Sequence, residues 1–409
     1  MSAKPTALFI TYDGMTDPLG QSQVLSYLKP ISKAGYSIDI VSYEKPGVYE
    51  SKKEQVEKMI AGYDIHWHPI SYTKSPPILS SIYDFERGKA LVRKLVPQRK
   101  YSIIHSRSSM IGSIALLAKK LSGGKLIFDM RGWWADEKKD SGNWASAIFK
   151  PVYSYFKNLE TQLFVKSAVT ISLTNVGKEE IVKLGHKTAD KIAVIPTCVN
   201  FQYFTPFNAD IRAEVRKELD IPLDAKVLLY SGSIGGNYNS AMLLDVLKVL
   251  RELNPNSYLL ILTLSAKDYI IELLNERGLP LDAVRFAKAD YSKVHRYLMA
   301  GDMGVVNYAQ AYSTIGRSPT KLGEYWSCGL PVIAESGIGD MDYLLNRYPK
   351  GGKLLYGLSN NEYARVLNEL TNVPIDKDVL RQYAEEYYDL EQGAQQYISI
   401  YQSLAPPVQ

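Results

Sequence analysis

Cysteine is nearly absent: Cys198 and Cys328 are the only two in 409 residues and stand far apart, which excludes a disulfide scaffold. Long apolar runs are lacking as well. A stretch such as 258–262 falls far short of the ~20 residues that a membrane-crossing helix needs. No basic segment followed by an apolar one opens the sequence, so secretion is not expected. The expectation is a soluble protein of a reducing compartment, the cytoplasm. His66 and His68, two apart on an expected strand, have no evident third ligand and do not make a zinc site.

What the sequence does have is apolar material for a large interior, 46% hydrophobic, and its length makes two domains the expectation. The net charge of +5 hides an asymmetry. Up to Asn200 there are 28 Lys and Arg against 18 Asp and Glu; beyond it, 20 against 25. A basic half joined to an acidic half points to a surface that meets anions, either phosphates or an acidic leaflet at the inner face of the plasma membrane. Scattered surface charge gives the same count.

Short apolar or β-branched runs alternate with segments of helical period along nearly the whole chain, the mark of an α/β protein with parallel sheets. Strands are expected over 7–12, 37–43, 65–68, 103–105, 125–130, 168–172 and 192–195, with crossover helices over 21–33, 51–61, 79–96, 109–121 and 175–184. Residues 196–208 hold two prolines and no amphipathic period and read as an interdomain linker. A second series follows, with strands over 227–230, 258–262, 283–286, 304–307 and 331–334 and helices over 240–253, 269–277, 292–299 and 320–327. The tyrosine-rich stretch 378–404 is expected to be helical. The expected domains are 1–197 and 198–387, with a helix over 388–409 returning to the first. Two doubly wound domains in tandem leave a cleft at the carboxyl ends of their strands.

Three loops suit anions. The first expected strand runs into a segment with Gly14 and Gly20 ahead of a helix, where free N–H groups suit a phosphate unless the glycines only permit a turn. After the first strand of the second domain comes Tyr230-Ser-Gly-Ser-Ile-Gly-Gly-Asn-Tyr-Asn239. Its Gly232, Ser233, Gly235, Gly236 and Asn237 form a backbone cradle, without the spacing of a nicotinamide loop or the lysine of a Walker loop. The third is Ser313-Thr-Ile-Gly-Arg-Ser-Pro-Thr-Lys-Leu-Gly-Glu324, continuing through Cys328-Gly-Leu-Pro-Val-Ile333. There Ser318 or its neighbour is expected to cap a helix with Pro319 in its first turn, and Thr320 follows. Lys321 and Glu324 share one face. A diphosphate at this terminus would meet free N–H groups, the helix dipole and the cations of Arg317 and Lys321, with Glu324 one turn deeper for sugar hydroxyls. An ordinary exposed ion pair is the alternative.

The third stretch resembles the donor-site signature of the GT-B-fold glycosyltransferases of family 4. Similarity extends to Asp17-Pro-Leu-Gly-Gln-Ser-Gln23, to Phe128-Asp-Met-Arg-Gly-Trp-Trp-Ala-Asp-Glu137, to the linker Ile195-Pro-Thr and to the order of elements. The resemblance implies a GT-B architecture of two Rossmann-like domains facing across a cleft. It also implies retaining, metal-independent transfer from a UDP- or GDP-linked sugar to a saccharide or lipid-linked acceptor. Glu324 would grip the ribose, Gly20 would approach the diphosphate, and Ser318, Pro319, Thr320 and Lys321 would form the phosphate-binding helix start. Two departures stand out. Gly316 replaces the family's first glutamate, and the Arg and Lys usual near Ser233 and Asn239 are absent. Arg317, Lys321 and Arg131 are therefore expected to neutralise the diphosphate. A nucleotide-sugar epimerase or hydrolase of the same fold is the alternative enzyme, and the missing acid at Gly316 makes a non-catalytic nucleotide-sugar-binding partner a further alternative.

Where the family often has histidine, Arg131 stands; it binds oxygens and cannot act as a base. Asp129 is expected to steer the acceptor hydroxyl or to stabilise the cationic sugar carbon. Asp17, Gln21, His105, Arg107 and Trp133 are assigned to the acceptor, with half-buried packing the alternative for His105. Tyr230, Asn237 and Tyr308 stand where a base would stack. Asp340-Met-Asp342 has the form of a metal-binding pair but sits where aspartates cap helices. Trp133, Trp134, Trp144, Phe149, Tyr153, Tyr155 and Phe156, interleaved with Lys138, Lys139, Lys150 and Lys157, suit an anionic bilayer or a lipid-linked acceptor, or else pack in the core. No nucleic-acid-binding motif accompanies them.

Overall fold

The computed structural model describes residues 4–76, 78–236, 238–372 and 374–407. It divides the chain into one unit of Met1–Pro196 with Leu390–Gln409 and another of Thr197–Asp389.

The first unit is built on seven parallel strands: β1 (Thr6–Thr11), β2 (Ser37–Glu44), β3 (Ile65–Ser71), β4 (Ile103–Arg107), β5 (Lys125–Asp129), β6 (Val169–Ser172) and β7 (Ile192–Val194). Their order is β3-β2-β1-β4-β5-β6-β7. All eight residues of β2 and all five of β4 are buried, as expected of strands covered by helices on both faces. A parallel sheet of this kind leaves its chemistry to the strand ends. Register places Thr11 beside Arg107 and Arg107 beside Asp129, which lines up polar side chains along the carboxyl edge.

The second unit repeats the plan with β8 (Lys226–Ser231), β9 (Ser257–Leu262), β10 (Val284–Ala287), β11 (Met303–Val306), β12 (Val332–Glu335) and β13 (Gly352–Leu355), in the order β10-β9-β8-β11-β12-β13. The helices Ser240–Leu253 and Thr320–Ser327 occupy the ranges that periodicity predicts. Missed in the sequence are β13 and the helices Trp134–Asp140, Lys150–Lys166, Ala209–Glu218, Met341–Arg347 and Asn360–Thr371.

Two expectations need correction. The helix expected over 21–33 begins with the turn Pro18–Gly20 and a π-helical stretch, Gln21–Leu25, before regular α-helix from Ser26 to Lys33. Close packing is the cause: a Cβ on Gly20 would lie 2.0 Å from the Gly14 carbonyl oxygen, so the chain can approach there only as glycine. The helical stretch 378–404 is two helices, Lys377–Tyr388 and Leu390–Leu404, interrupted at Asp389 in extended backbone, where the Val199 N–H donates to the Tyr388 carbonyl. Within the expected linker, Val199 and Phe204 are fully buried in the core of the second unit.

The helix Leu390–Leu404 packs on the first unit through tyrosines. Tyr397 lies 4.9 Å from Tyr27 and Tyr401 5.2 Å from Tyr36, ring to ring.

Beneath the second unit's first loop, the Ser231 N–H donates to the Tyr325 hydroxyl at 2.8 Å, and the Tyr325 ring lies on Gly304. A Cβ at Gly304 would approach that ring to 2.5 Å. Gly304→Ala should therefore lower stability by about 1–3 kcal/mol, the usual cost of overpacking, in urea denaturation.

Candidate active site

In the second unit the loop after β8 turns through Gly232, Gly235 and Gly236 at φ of +140°, +77° and +61°, conformations that suit glycine. Tyr230 donates its hydroxyl to the Ser233 carbonyl, the Gly235 N–H donates to Ser240 Oγ, and Asn239 caps the following helix through the Met242 N–H. Asn237 lies outside the described residues.

Opposite this loop, the helix Thr320–Ser327 starts after Pro319, which holds the N-cap position with no side-chain cap. Ser318 does not cap the helix as expected; its Oγ accepts the N–H of Thr197 at 3.1 Å, tying the helix start to the linker. Gly316 is buried at the end of a 3₁₀ turn, Tyr312–Gly316.

Lys321 is the centre of the site. Its side chain is buried, its Nζ lies 4.3 Å from the Tyr230 ring centroid, 4.5 Å from Tyr238 and 5.8 Å from Tyr308, and it has no hydrogen-bond partner among the described residues. A Cβ on Gly232 would come within 3.3 Å of that ammonium, so the glycine leaves room for it. Arg317 stacks on the Tyr308 ring at 4.8 Å, and Tyr308 packs on Tyr238 at 4.9 Å. One turn deeper, Glu324 is buried and hydrogen-bonded by Tyr291. Lys321 and Glu324 are thus not an exposed ion pair. Burial lowers Lys321 to about 7, Glu324 opposing and Arg317 adding to the effect; burial likewise raises Glu324 to about 7 against Lys321 and Tyr291.

Magnitudes show what this arrangement lacks. Cation–π contacts in a dry setting contribute about 2 kcal/mol, whereas removing an ammonium from water costs several. The start of a helix is also its positive end, the wrong place for a cation. An anion with several oxygens, held between Lys321, Arg317 and the glycine loop, would reverse the balance.

The first unit gathers a second polar cluster. Asp129 ends β5 fully buried and accepts the Tyr397 hydroxyl at 2.9 Å; Arg107 stands 3.5 Å and Arg131 3.8 Å from its oxygens. Burial would raise this carboxyl, but Arg131, His105 and Arg107 outweigh it and hold it at about 2. Arg107 also donates to Asp13 at 3.0 Å. Arg131 sits at φ +55°, a strained conformation for arginine.

Three residues assigned to the acceptor, His105, Arg107 and Trp133, are withdrawn from any surface. His105 is fully buried, not half-buried, with Nδ1 2.9 Å from the Tyr401 hydroxyl. Trp133 is fully buried against Phe164. Asp17 pairs with Lys45 at 2.8 Å, and Gln21 is half-buried at the start of the π-helical stretch. Of the aspartate pair, Asp342 accepts the N–H of Gly337 and the hydroxyl of Ser336, and Asp340 accepts the Tyr387 hydroxyl, so both hold loops together. His66 and His68 face different aspartates, Asp64 and Asp39.

Residues 21–203 match the model of Glycosyltransferase Family 4. The D-inositol 3-phosphate glycosyltransferase of Streptomyces coelicolor is 25% identical over 295 residues, 67% of this chain and 62% of that protein. That of Thermobispora bispora is 24% identical over 287 residues, 67% and 63%. The chain thus spans somewhat less than two thirds of the length of these curated relatives. The structure resembles sucrose-phosphate synthase from Thermosynechococcus elongatus, with a TM-score of 0.73 at 17% identity over 98% of this chain and 99% of that one. It also resembles Anabaena HepE in complex with UDP-glucose, with a TM-score of 0.70 at 16% identity over 97% and 99%. Over somewhat less than half of its length the chain is thus similar to Glycosyltransferase Family 4.

Its two Rossmann-like sheets are those of the GT-B class. The site in the second unit also contains three residues that sequence reasoning passed over. Tyr238 and Tyr291 complete the surroundings of Lys321 and Glu324. Glu335, at the carboxyl end of β12, is buried, is pushed up to about 7 by burial, and is hydrogen-bonded by Gln310 and Asn239. Only its place after Pro331-Val-Ile-Ala marks it in the sequence.

The buried ammonium predicts a pH-dependent stability. Lys321 binds its proton more weakly folded than unfolded, so its burden on the fold is full below pH 7 and lifts as pH rises from 7 toward 10. Lys321→Met should raise Tm most at pH 6, with a gain that shrinks toward pH 10, as followed by circular dichroism.

Proposed function

We propose that the chain transfers a sugar from a nucleotide-sugar donor to a saccharide or lipid-linked saccharide acceptor, with retention at the anomeric carbon and without a metal. The observation that carries this reading is the buried Lys321 ammonium, ringed by tyrosines and without a hydrogen-bonding acceptor among the described residues, at the start of a helix whose next turn presents Glu324. Lys321, Arg317 and the Gly232–Gly236 backbone take the diphosphate, Glu324 the ribose hydroxyls, and Tyr238 or Tyr308 the base. The UDP-glucose complex of HepE supports a donor of this class.

In the step itself, the acceptor oxygen bonds to the anomeric carbon as the bond from that carbon to the diphosphate breaks. The departing phosphate oxygen takes the acceptor proton, so no base from the protein is needed. What the protein supplies is positioning and charge placed before the reaction begins. Asp129 is too acidic and too enclosed to serve as a base. It acts through Arg131, whose guanidinium it holds, and is a positioning residue.

Incubation with a panel of UDP- and GDP-sugars should release nucleoside diphosphate only when a suitable acceptor is present. Release without acceptor identifies an epimerase or hydrolase. Binding with no release identifies a non-catalytic partner, the reading that Gly316 in place of the family's first glutamate would favour.

Lys321→Ala should cut turnover by at least a hundredfold with unchanged circular dichroism; near-normal turnover would remove Lys321 from the mechanism. UDP binding should weaken as pH rises above 7, because the lysine must be protonated to meet the diphosphate. Calorimetry in buffers of different ionisation enthalpy should show proton uptake.

A further inference from the structure

The first unit has a groove of about 960 Å³ beside the carboxyl ends of its sheet, where Tyr12 follows β1, Tyr72 follows β3 and Met110 follows β4. The helix Leu79–Gln98 forms one wall, and the helices Trp134–Asp140 and Lys150–Lys166 with the segment between them form the other. Its volume lies within the range of small-molecule sites. Most of its lining is apolar. Trp134, Trp144 and Phe156 make a continuous aromatic wall, with ring centroids 4.8, 5.3 and 5.7 Å apart. Ile82 and Tyr155 are each about half exposed at its rim, 52% and 51%. Apolar side chains gathered around a hollow in this way mark a binding site more often than scattered exposed ones do.

The charges on the groove have one sign in excess. Lys89 is paired with Glu86 at 2.7 Å, while Lys74 and Lys138 have no carboxylate partner among the described residues. The floor also connects to the polar cluster of the same unit: Asp13, next to Tyr12, accepts from Arg107, which in turn stands beside Asp129. An occupant therefore needs a long apolar part without hydrogen-bonding groups and an anionic end.

We propose that this groove holds the hydrocarbon chain of a lipid-linked acceptor whose anionic phosphate meets Lys74 and Lys138. The proposal rests on the reading of the chain as a glycosyltransferase and narrows its acceptor to the lipid-linked class. Aromatics that the sequence offers equally to a bilayer or to the core divide accordingly. Trp133 belongs to the core, and Trp134, Trp144, Phe149, Tyr155 and Phe156 belong to the groove.

Farnesyl phosphate, kept below its micelle-forming concentration, tests this when titrated into the full chain and followed by tryptophan fluorescence and equilibrium dialysis. Saturable binding of one molecule per chain is expected. Ile82→Asp, at an exposed position, should weaken it at least tenfold, Lys138→Glu severalfold, and farnesol should bind severalfold more weakly than its phosphate. Both variants should keep the wild-type Tm and UDP affinity.

Absence of saturable binding, or binding that Ile82→Asp leaves unchanged, overturns the proposal. Attachment to phosphatidylglycerol vesicles with no binding of farnesyl phosphate also overturns it, because the face is then a bilayer-docking surface. Nucleoside diphosphate release from the donor panel, measured on the same preparation, separates the two readings. Donor turnover without farnesyl phosphate binding removes the groove assignment alone. Farnesyl phosphate binding without donor turnover removes the transferase reading and leaves the groove assigned to a lipid.

Discussion

A cation placed where the fold does not want it governs the second unit. Lys321 stands in the first turn of a helix, at the positive end of the dipole, buried and without a hydrogen-bonded acceptor among the described residues. Three tyrosine rings soften that position without repaying the loss of water. Such a group survives in a folded protein when its surroundings are held by everything around them. Here Ser318 is fixed to Thr197, Tyr325 supports Ser231, and the glycines of the loop after β8 leave space above the ammonium. Stability is given up locally, and in the proposed function the gain is a charge already in position for the donor's diphosphate.

The first unit solves a related problem differently. Its buried Asp129 accepts the Tyr397 hydroxyl from the C-terminal helix and stands within 3.5 and 3.8 Å of arginines from β4 and from the loop after β5. The carboxylate is ordinary in charge but extreme in setting, and the setting explains why it is held ionised. The return of the chain after Asp389 is therefore more than a closing helix. It delivers Tyr397 and Tyr401 to the strand ends and seals His105 beneath them. No reading of residues 101–140 alone could have anticipated that cover.

Periodicity located the helices of residues 240–253 and 320–327 to the residue, and every strand of the first unit; the inner strands, such as β2 and β4, are buried on both faces. It failed on the helices Trp134–Asp140 and Lys150–Lys166, where aromatic and charged residues interrupt any simple stripe. Part of their apolar surface lines a groove instead of a core. It failed again at Asp389, because a break that comes from pairing with Val199 leaves no local mark.

The sequence by itself determined the class of fold, the tandem of two α/β units and the importance of the stretch 313–333, since each follows from local pattern and spacing along the chain. Tertiary structure alone decided the state of the side chains. Ser318 turned from cap to tether, Trp133 and His105 went inward, and Lys321 became a buried cation among tyrosines drawn from two other segments. Burial and charge environment depend on what distant parts of the chain bring alongside, and that is settled only by packing.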